Sequence, residues 1–402
     1  MSGNLDPGAQ RSSHPDKLRV VIAGGGVAAL ETALALADLA PDRIDLTVIA
    51  PNTEFVYRPM TVREPFAYGA AHRYPLAPIV RDAGAKLITG KLGWVDRVTR
   101  TIHTEAGESL EYDALMLALG ASITKRYTHA LTIDDRDLEK TMHGLIQDVE
   151  GGYIHKLAFV SPGRMAWPLP LYELAMMTAG RAYDMGIKLE TTIVTPEDSP
   201  LAIFGSSASS TVAELLARAN VETIGSAYAE VPSSRKVVIN PGERHLEVDR
   251  VIALPELHGP VVRGIPLGDN GFIRVDPHCR VPDVERIYAA GDATDFPIKQ
   301  GGIGAQQADV AAQSIAALAG ASVTPERFNP VIHGMLLTNE EPRYLTAHVT
   351  GGHGFSSEIT DTPTWSPPSK IAAKYLAPYL EERDREPRRA TSRDTMPGHA
   401  PM

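Results

Sequence analysis

Two stretches far apart in the chain have residue types and spacing suited to nucleotide binding. The first, VVIAGGGVAALETAL (20–34), places Gly24, Gly26 and Ala29 in a G-x-G-x-x-G/A pattern between an apolar run and a helical pattern. In that context the first glycine allows a tight turn, the second lets a pyrophosphate approach the backbone, and the alanine lets strand and helix pack closely. The stretch therefore predicts a dinucleotide site at a helix N-terminus.

The second stretch is RIYAAGDATDFPIKQGGIGAQQ (286–307), in which an apolar strand ends at Gly291-Asp292 and glycines lead into a helix. A carboxylate after such a strand can accept hydrogen bonds from ribityl hydroxyls. N–H groups at a helix N-terminus can stabilise negative charge on a reduced flavin ring. This stretch is therefore a second candidate for nucleotide-cofactor binding.

The elements that must position these stretches follow an α/β pattern. Apolar runs predict buried parallel strands at 18–24, 45–50, 114–119, 156–162 and 189–196, and helical patterns occupy 28–39, 171–186, 209–220, 304–319 and 369–380. We predict two Rossmann-like domains plus a smaller C-terminal region. The expected boundaries are a disordered segment at 1–16, a first dinucleotide-binding domain at 17–125 and 256–322, a degenerate second dinucleotide-type domain at 126–255, a C-terminal interface region at 323–380 and a disordered tail at 381–402.

Composition excludes several classes of protein. The net charge of −10 argues against a nucleic-acid partner. Residues 1–16 resemble no signal peptide, and no run approaches the roughly 20 apolar residues of a membrane span, so a cytoplasmic location is expected. The amphipathic pattern at 369–380 favours a packed or homodimer-forming helix over a membrane anchor. The histidines show no ligand spacing, which predicts no metal.

Three motifs in order resemble the pyridine nucleotide-disulfide oxidoreductase superfamily of two-dinucleotide-domain flavoproteins. They are VVIAGGGVAAL (20–30), EYDALMLALGA (111–121) and IYAAGDAT (287–294), and the resemblance covers about residues 18–320. Within that superfamily the chain is similar to the branch of sulfide:quinone oxidoreductases, flavocytochrome c sulfide dehydrogenase flavoproteins and type II NADH dehydrogenases. The resemblance implies FAD as the cofactor.

The resemblance also implies which residues contact FAD. The segment PNTEFVYRPMTV (51–62) is similar to a loop of that branch that runs beside the flavin, Leu92 would present its backbone to adenine, and Asp292 would bind the ribityl or phosphate region. The full set of implied contacts is Gly24, Gly25, Gly26, Val27, Ala28, Asn52, Arg58, Pro59, Leu92, Ala118, Leu119, Gly120, Gly291, Asp292, Gly302 and Ile303.

The chain departs from that family's pattern at three places. Ala50 stands where an acid usually binds the adenosine ribose, and Asn52 or the backbone is expected to substitute, since one lost hydrogen bond costs only about 0.5–1.5 kcal/mol. The single cysteine, Cys279, cannot form the disulfide relay of the sulfide-oxidising branch. The segment SPGRMAWPLPLYELA (161–175) lacks a second G-x-G-x-x-G, so an ordinary NAD(P)H site is doubtful, although Glu197 could imitate a ribose-binding acid.

Lys299, just before the flavin-facing helix, is the candidate catalytic residue, because a lysine there could stabilise a reduced flavin or donate to a quinone carbonyl. The sequence predicts an FAD-dependent oxidoreductase without the cysteine sulfur relay that passes electrons between a small donor and a quinone-like or protein acceptor. Two alternatives stay open: an NAD(P)H-dependent flavin reductase, and a non-catalytic flavin-binding sensor or scaffold. Weaker candidates for the site are Trp365, Glu340, Glu341 and Arg343.

Overall fold

The computed structural model describes residues 17–163, 167–350 and 354–393. The elements of the first part of the chain are β1 (Leu18–Ala23), α1 (Val27–Leu39), β2 (Ile44–Ala50), β3 (Glu54–Val56), a 3-10 helix (Arg58–Phe66), β4 (Arg73–Pro75), α2 (Leu76–Asp82), β5 (Lys86–Thr89), β6 (Leu92–Asp96), β7 (Thr101–Thr104), β8 (Ser109–Glu111) and β9 (Ala114–Leu117). The predicted disordered segment at 1–16 lies outside the described residues.

The middle of the chain holds β10 (Ser122–Thr124), β11 (Leu131–Thr132), α3 (Leu138–Glu150), β12 (Lys156–Val160), α4 (Leu169–Asp184), β13 (Glu190–Val194), α5 (Gly205–Arg218), β14 (Val221–Ile224), β15 (Tyr228–Ser233), β16 (Lys236–Asn240), β17 (Arg244–Glu247), β18 (Arg250–Ala253) and β19 (Glu256–His258). The last part holds β20 (Ile287–Ala289), α6 (Gly301–Leu318), β21 (Val331–Leu336), β22 (Arg343–Thr350), β23 (Gly354–Thr360) and α7 (Leu376–Arg393).

Two five-stranded parallel sheets form the core of the fold. The first has the order β20-β9-β1-β2-β5 and the second the order β11-β18-β12-β13-β14. Apart from the first one or two residues of β1 and β12, the central strands β1, β9 and β12 are apolar and buried, as is typical of parallel strands covered by helices. The predicted α/β class with two Rossmann-like units and a smaller C-terminal region is confirmed. Strand β20 joins the first sheet from far along the chain, next to β9.

The C-terminal segment differs from the sequence prediction. A helix is expected over 369–380, but residues 369–375 form turns, and α7 runs from Leu376 to Arg393, into the stretch predicted to be a disordered tail. The turns form because the Ile371 N–H donates to the Tyr57 hydroxyl at 2.9 Å and the Lys370 side chain is drawn to a buried carboxylate. Among the described residues no helix is long and apolar enough to cross a membrane.

A buried carboxyl group on α1 holds the start of α7. Glu31 on α1 accepts the backbone N–H groups of Tyr375 and Leu376 at 2.9 and 2.6 Å. Asp309 on α6 lies beside Glu31, and burial followed by the charge of Glu31 raises the pKa of Asp309 to about 8. The folded protein therefore keeps a proton on this carboxyl pair at neutral pH.

We expect this proton to make the stability depend on pH. The unfolded chain releases it near pH 4, whereas the native state releases it near pH 8, so the free energy of unfolding should fall across that interval and level off above it. The slope from one such group is at most about 1.4 kcal/mol per pH unit. Asp309→Asn should flatten the decline in urea-unfolding curves recorded from pH 5 to 8. The control Glu214→Gln, at an exposed position on α5, should not; equal slopes in all three proteins would contradict this assignment.

Candidate functional site

The first glycine turn follows β1 at the carboxyl edge of the first sheet. Gly24 has φ +135°, and a Cβ on it would lie 2.1 Å from the carbonyl oxygen of Ala118. A side chain is therefore excluded at this position by both backbone conformation and space. The close approach is fixed by the Ala118 N–H, which donates to the Ala23 carbonyl at 2.8 Å.

The second glycine of the turn faces open space. A Cβ on Gly26, the residue before α1, would meet no atom within 4 Å. The first turn of α1, which begins Val27-Ala28, contains no acidic residue, and no side chain caps its N–H groups. An open, donor-lined helix N-terminus of this kind fits the diphosphate of FAD.

The two sequence motifs meet in space. Gly291 has φ +75°, and a Cβ on it would lie 3.3 Å from the Cβ of Ala28. The Gly291 N–H donates to the Gln307 side chain on α6 at 2.8 Å, and a Cβ on Gly304 would lie 3.1 Å from the Cα of Gly291. The start of α1, the Gly291-Asp292 turn and α6 therefore pack as one unit, although the motifs lie more than 250 positions apart.

The position of the missing ribose acid has a physical explanation. Ala50 is fully buried, and a Cβ on Gly25 would lie 2.9 Å from the Cβ of Ala50 and 3.0 Å from Leu76. The space beside the glycine turn is thus filled by Leu76, the first residue of α2. Asn52, the proposed substitute, is exposed two residues beyond β2.

Four charged groups surround the turn that carries Asp292. Burial raises the pKa of Asp292, the cations Lys299 and Arg58 oppose that shift, and Asp135 reinforces it. Arg58 and Asp135 pair at 3.4 Å between Nη1 and Oδ1. Asp292 is half-buried and follows Gly291, which lies against the start of α1. The open space beside Gly26 and Asp292 is called the cleft below. The sequence pattern missed Asp135, although an Asp-Asp pair directly after a strand was an available signal.

Lys299 is held by the protein rather than left free. It is buried, its Nζ donates to the Thr294 carbonyl, and it lies 3.9 Å from the centroid of the Phe272 ring. Burial lowers its pKa to about 8, against the opposing charge of Asp292. With a pKa of about 8, the ammonium of Lys299 loses its proton only slightly above neutral pH. The catalytic role of Lys299 stays a prediction.

The remaining predicted contacts are distributed along the same edge of the sheet. Ala118 is buried, Leu119 and Gly120 follow it half-buried after β9, and Pro59 begins the 3-10 helix with Arg58. Leu92 instead lies on β6, paired with Thr104 in a separate small sheet.

The N-terminus of α6, predicted to approach the flavin ring, is covered. Gly302 and Ile303 are buried, and the Ile303 N–H already donates to the Gln300 side chain at 3.1 Å. A Cβ on Gly302 would lie 3.4 Å from the Ala372 carbonyl oxygen of the C-terminal turns. The C-terminal segment therefore forms one wall beside this helix start.

Cys279 is unsuited to redox chemistry. It is fully buried, has no cysteine partner, and burial raises the pKa of its thiol well above the ordinary value. A thiol that keeps its proton is a poor nucleophile. Its burial adds a second reason why Cys279 cannot serve as a sulfur relay.

The corresponding turn of the second sheet is built differently. A Cβ on Gly163 would lie 3.0 Å from the Tyr228 ring, and Trp167 packs edge-on against Phe204 at 5.7 Å. Pro170 in the first turn of α4 has no N–H to offer. This helix start is therefore a poorer phosphate site than that of α1.

Glu197, the candidate ribose acid of the second sheet, is turned inward. Its Oε2 accepts a hydrogen bond from the Tyr172 hydroxyl at 2.7 Å, and Tyr172 itself is fully buried on α4. Burial raises the pKa of Glu197 to about 7. The carboxylate is engaged in packing α4 against β13, so the structure does not offer it to a ribose.

A buried ion pair that the sequence pattern missed joins the C-terminal turns to α4. Lys370 Nζ lies 2.6 and 2.7 Å from the two carboxylate oxygens of Glu173, and the Leu337 N–H donates to the same carboxylate at 2.8 Å. Both side chains are almost completely buried. A lone glutamate in the apolar helix LPLYELAMM (169–177) was the available signal, and nothing local identified its partner.

The weaker candidates contact other residues of the C-terminal region. Trp365 donates through Nε1 to the Ser369 carbonyl at 2.8 Å and packs on Tyr344. Arg343 pairs with Asp361 at 3.2 Å and with Glu340 at 3.8 Å at an exposed edge, where Glu341 is also exposed.

Comparisons with known proteins agree with this arrangement. Residues 172–314 match the family model for pyridine nucleotide-disulphide oxidoreductase. The chain is 24% identical over 300 residues to the sulfide-quinone reductase of Aquifex aeolicus, covering 69% of each chain. It is 26% identical over 297 residues to NADH dehydrogenase-like protein Rv1812c of Mycobacterium tuberculosis, covering 68% of this chain and 72% of that one.

Solved structures show the same fold. The sulfide:quinone oxidoreductase of Aquifex aeolicus superposes with a TM-score of 0.76 at 20% identity, over 92% of this chain and 90% of that one. A ferredoxin reductase from Rhodopseudomonas palustris superposes with a TM-score of 0.64 at 18% identity, over 85% and 88%. Over residues 172–314 the chain matches the pyridine nucleotide-disulphide oxidoreductase family, and it is an oxidoreductase with FAD as its cofactor.

Proposed function

We propose that this flavoprotein passes electrons between a small donor and a quinone-like or protein acceptor without a cysteine sulfur relay. The observation that carries the proposal is the combination of a complete first glycine site with a single, buried cysteine. FAD, when bound, supplies the capacity to accept an electron pair and pass it on. A relative named as a sulfide-quinone reductase supports a quinone-like partner.

The chain's own residues supply binding and charge. The α1 N-terminus would hold the diphosphate, Asp292 would accept hydrogen bonds from the ribityl or phosphate region, and Lys299 would place a proton-bearing cation beside the cleft. The second sheet would serve as a wall rather than as a nicotinamide site, because Glu197 is engaged and Pro170 removes a donor.

Anaerobic titration of the bound FAD separates this proposal from its alternatives. We expect NADH and NADPH to reduce the flavin slowly and without saturation, because hydride transfer requires a nicotinamide held in near-attack geometry. A small quinol should exchange electrons saturably. Cys279→Ser should leave that exchange within about twofold, since the thiol is buried and protonated.

Two results would replace the proposal. Rapid, saturable reduction by either nucleotide would favour an NAD(P)H-dependent flavin reductase, the function suggested by the relative named NADH dehydrogenase-like. Failure of every donor and acceptor, with FAD bound, would favour a non-catalytic flavin protein.

A further inference from the structure

One ion pair connects the two sheets at the cofactor cleft. Arg58 begins the 3-10 helix that follows β3, whereas Asp135 lies between β11 and α3 of the second unit. Their side chains meet at 3.4 Å, with about half of the Arg58 side chain and a third of the Asp135 side chain exposed. A pair this exposed contributes only about 0–1 kcal/mol to stability, so stability alone is a weak reason for it.

The neighbouring acid, Asp134, is hydrogen-bonded within its own turn. Asp134 accepts two hydrogen bonds from the Arg136 guanidinium at 2.9 and 2.7 Å, together with the Arg136 backbone N–H at 3.0 Å. Asp134 therefore stabilises its own turn. Asp135 is left to reach across to the other unit, which makes Asp134 a matched control with the same charge on the same turn.

The Arg58–Asp135 pair acts electrostatically on the cofactor turn. Arg58 favours the charged form of Asp292, and Asp135 disfavours it. Lys299 is the other cation in this group. Burial raises the pKa of Asp135, and the charge of Arg58 opposes that shift. Asp135 is the member of this group farthest in sequence from any motif for FAD.

We propose that Asp135 is a positioning residue that holds the Arg58 guanidinium at the rim of the cleft and balances its charge, so that Asp135 sets the electrostatic potential at the bound FAD. The inference rests on the proposed function only in placing FAD in this cleft. It does not depend on the identity of the electron donor or acceptor.

The test is the midpoint potential of the bound flavin, measured by equilibration with a reference dye. Asp135→Asn removes the balancing charge and leaves Arg58, so the more positive cleft should favour the reduced flavin. We expect about a tenfold change in the reduction equilibrium, which is a positive shift of about 30 mV for a two-electron couple. Asp134→Asn should shift the potential far less.

A double-mutant cycle tests whether Asp135 balances the charge of Arg58. Arg58→Gln alone should shift the potential in the negative direction, and the double variant Arg58→Gln/Asp135→Asn should return close to the wild-type value, because both members of the pair are then neutral. Equal shifts in the Asp134 and Asp135 variants, or a double variant shifted as far as Asp135→Asn alone, would overturn the inference. The expected shift together with failure of quinol exchange would overturn the proposed function and leave this inference standing. A wild-type chain unable to bind FAD would overturn both.

Discussion

Replacement of Lys370 by methionine is expected to lower the free energy of unfolding by about 3–5 kcal/mol. The change leaves the Glu173 carboxylate buried without its counter-ion, with only the Leu337 N–H as a remaining donor. Burial already raises the pKa of Glu173, so without Lys370 its carboxylate should take up a proton more readily. The loss in free energy of unfolding should therefore be smaller at low pH. Urea unfolding at pH 5 and pH 8 would show both effects.

The control for this experiment is the double variant Glu173→Gln/Lys370→Met. A glutamine can still accept the Leu337 hydrogen bond but carries no charge, so the double variant should recover much of the loss. A single variant within about 1 kcal/mol of the wild type would show that the ion pair does not hold the C-terminal turns against α4.

Replacement of Gly26 by valine is expected to strip FAD while leaving the fold intact. The new side chain would enter space that no protein atom occupies within 4 Å, which is where a diphosphate must approach α1. We expect at least a tenfold loss of bound flavin, read from flavin absorbance per protein. The thermal midpoint of the apoprotein should change little, because the φ of Gly26 is −94° and any residue can adopt it.

Gly24→Ala is the contrasting variant. Its Cβ would clash with the Ala118 carbonyl at 2.1 Å, and its φ of +135° is strained for alanine, so this change should lower the thermal midpoint even without FAD. The two variants therefore separate loss of the cofactor from loss of the fold. Full flavin occupancy in Gly26→Val would contradict the assignment of the glycine turn.

Together, these experiments examine different parts of one arrangement. The glycine variants test the diphosphate site, the Asp135 cycle tests the charge beside the flavin, and the nicotinamide titration tests the second sheet. Measurements of the flavin potential and of flavin occupancy need only the protein with FAD and no substrate.

The fold class and the first glycine turn could be predicted from the amino-acid residues alone. Both depend on local constraints: apolar runs that must be buried, and glycines in a turn whose conformation and close approach admit no side chain at Gly24. The same holds for the absence of a cysteine pair, since one cysteine cannot form a disulfide.

The partners of the charged residues could not be predicted, because they are brought together only when the chain folds. Lys370 meets Glu173 from 197 positions away, and Arg58 meets Asp135 across the two sheets. The start of α7 is set by a carboxylate on α1 rather than by the helical pattern of 369–380. The physical reason is that a charge can be buried at low cost only where a partner from elsewhere in the chain is brought to it, and no local pattern encodes that partner.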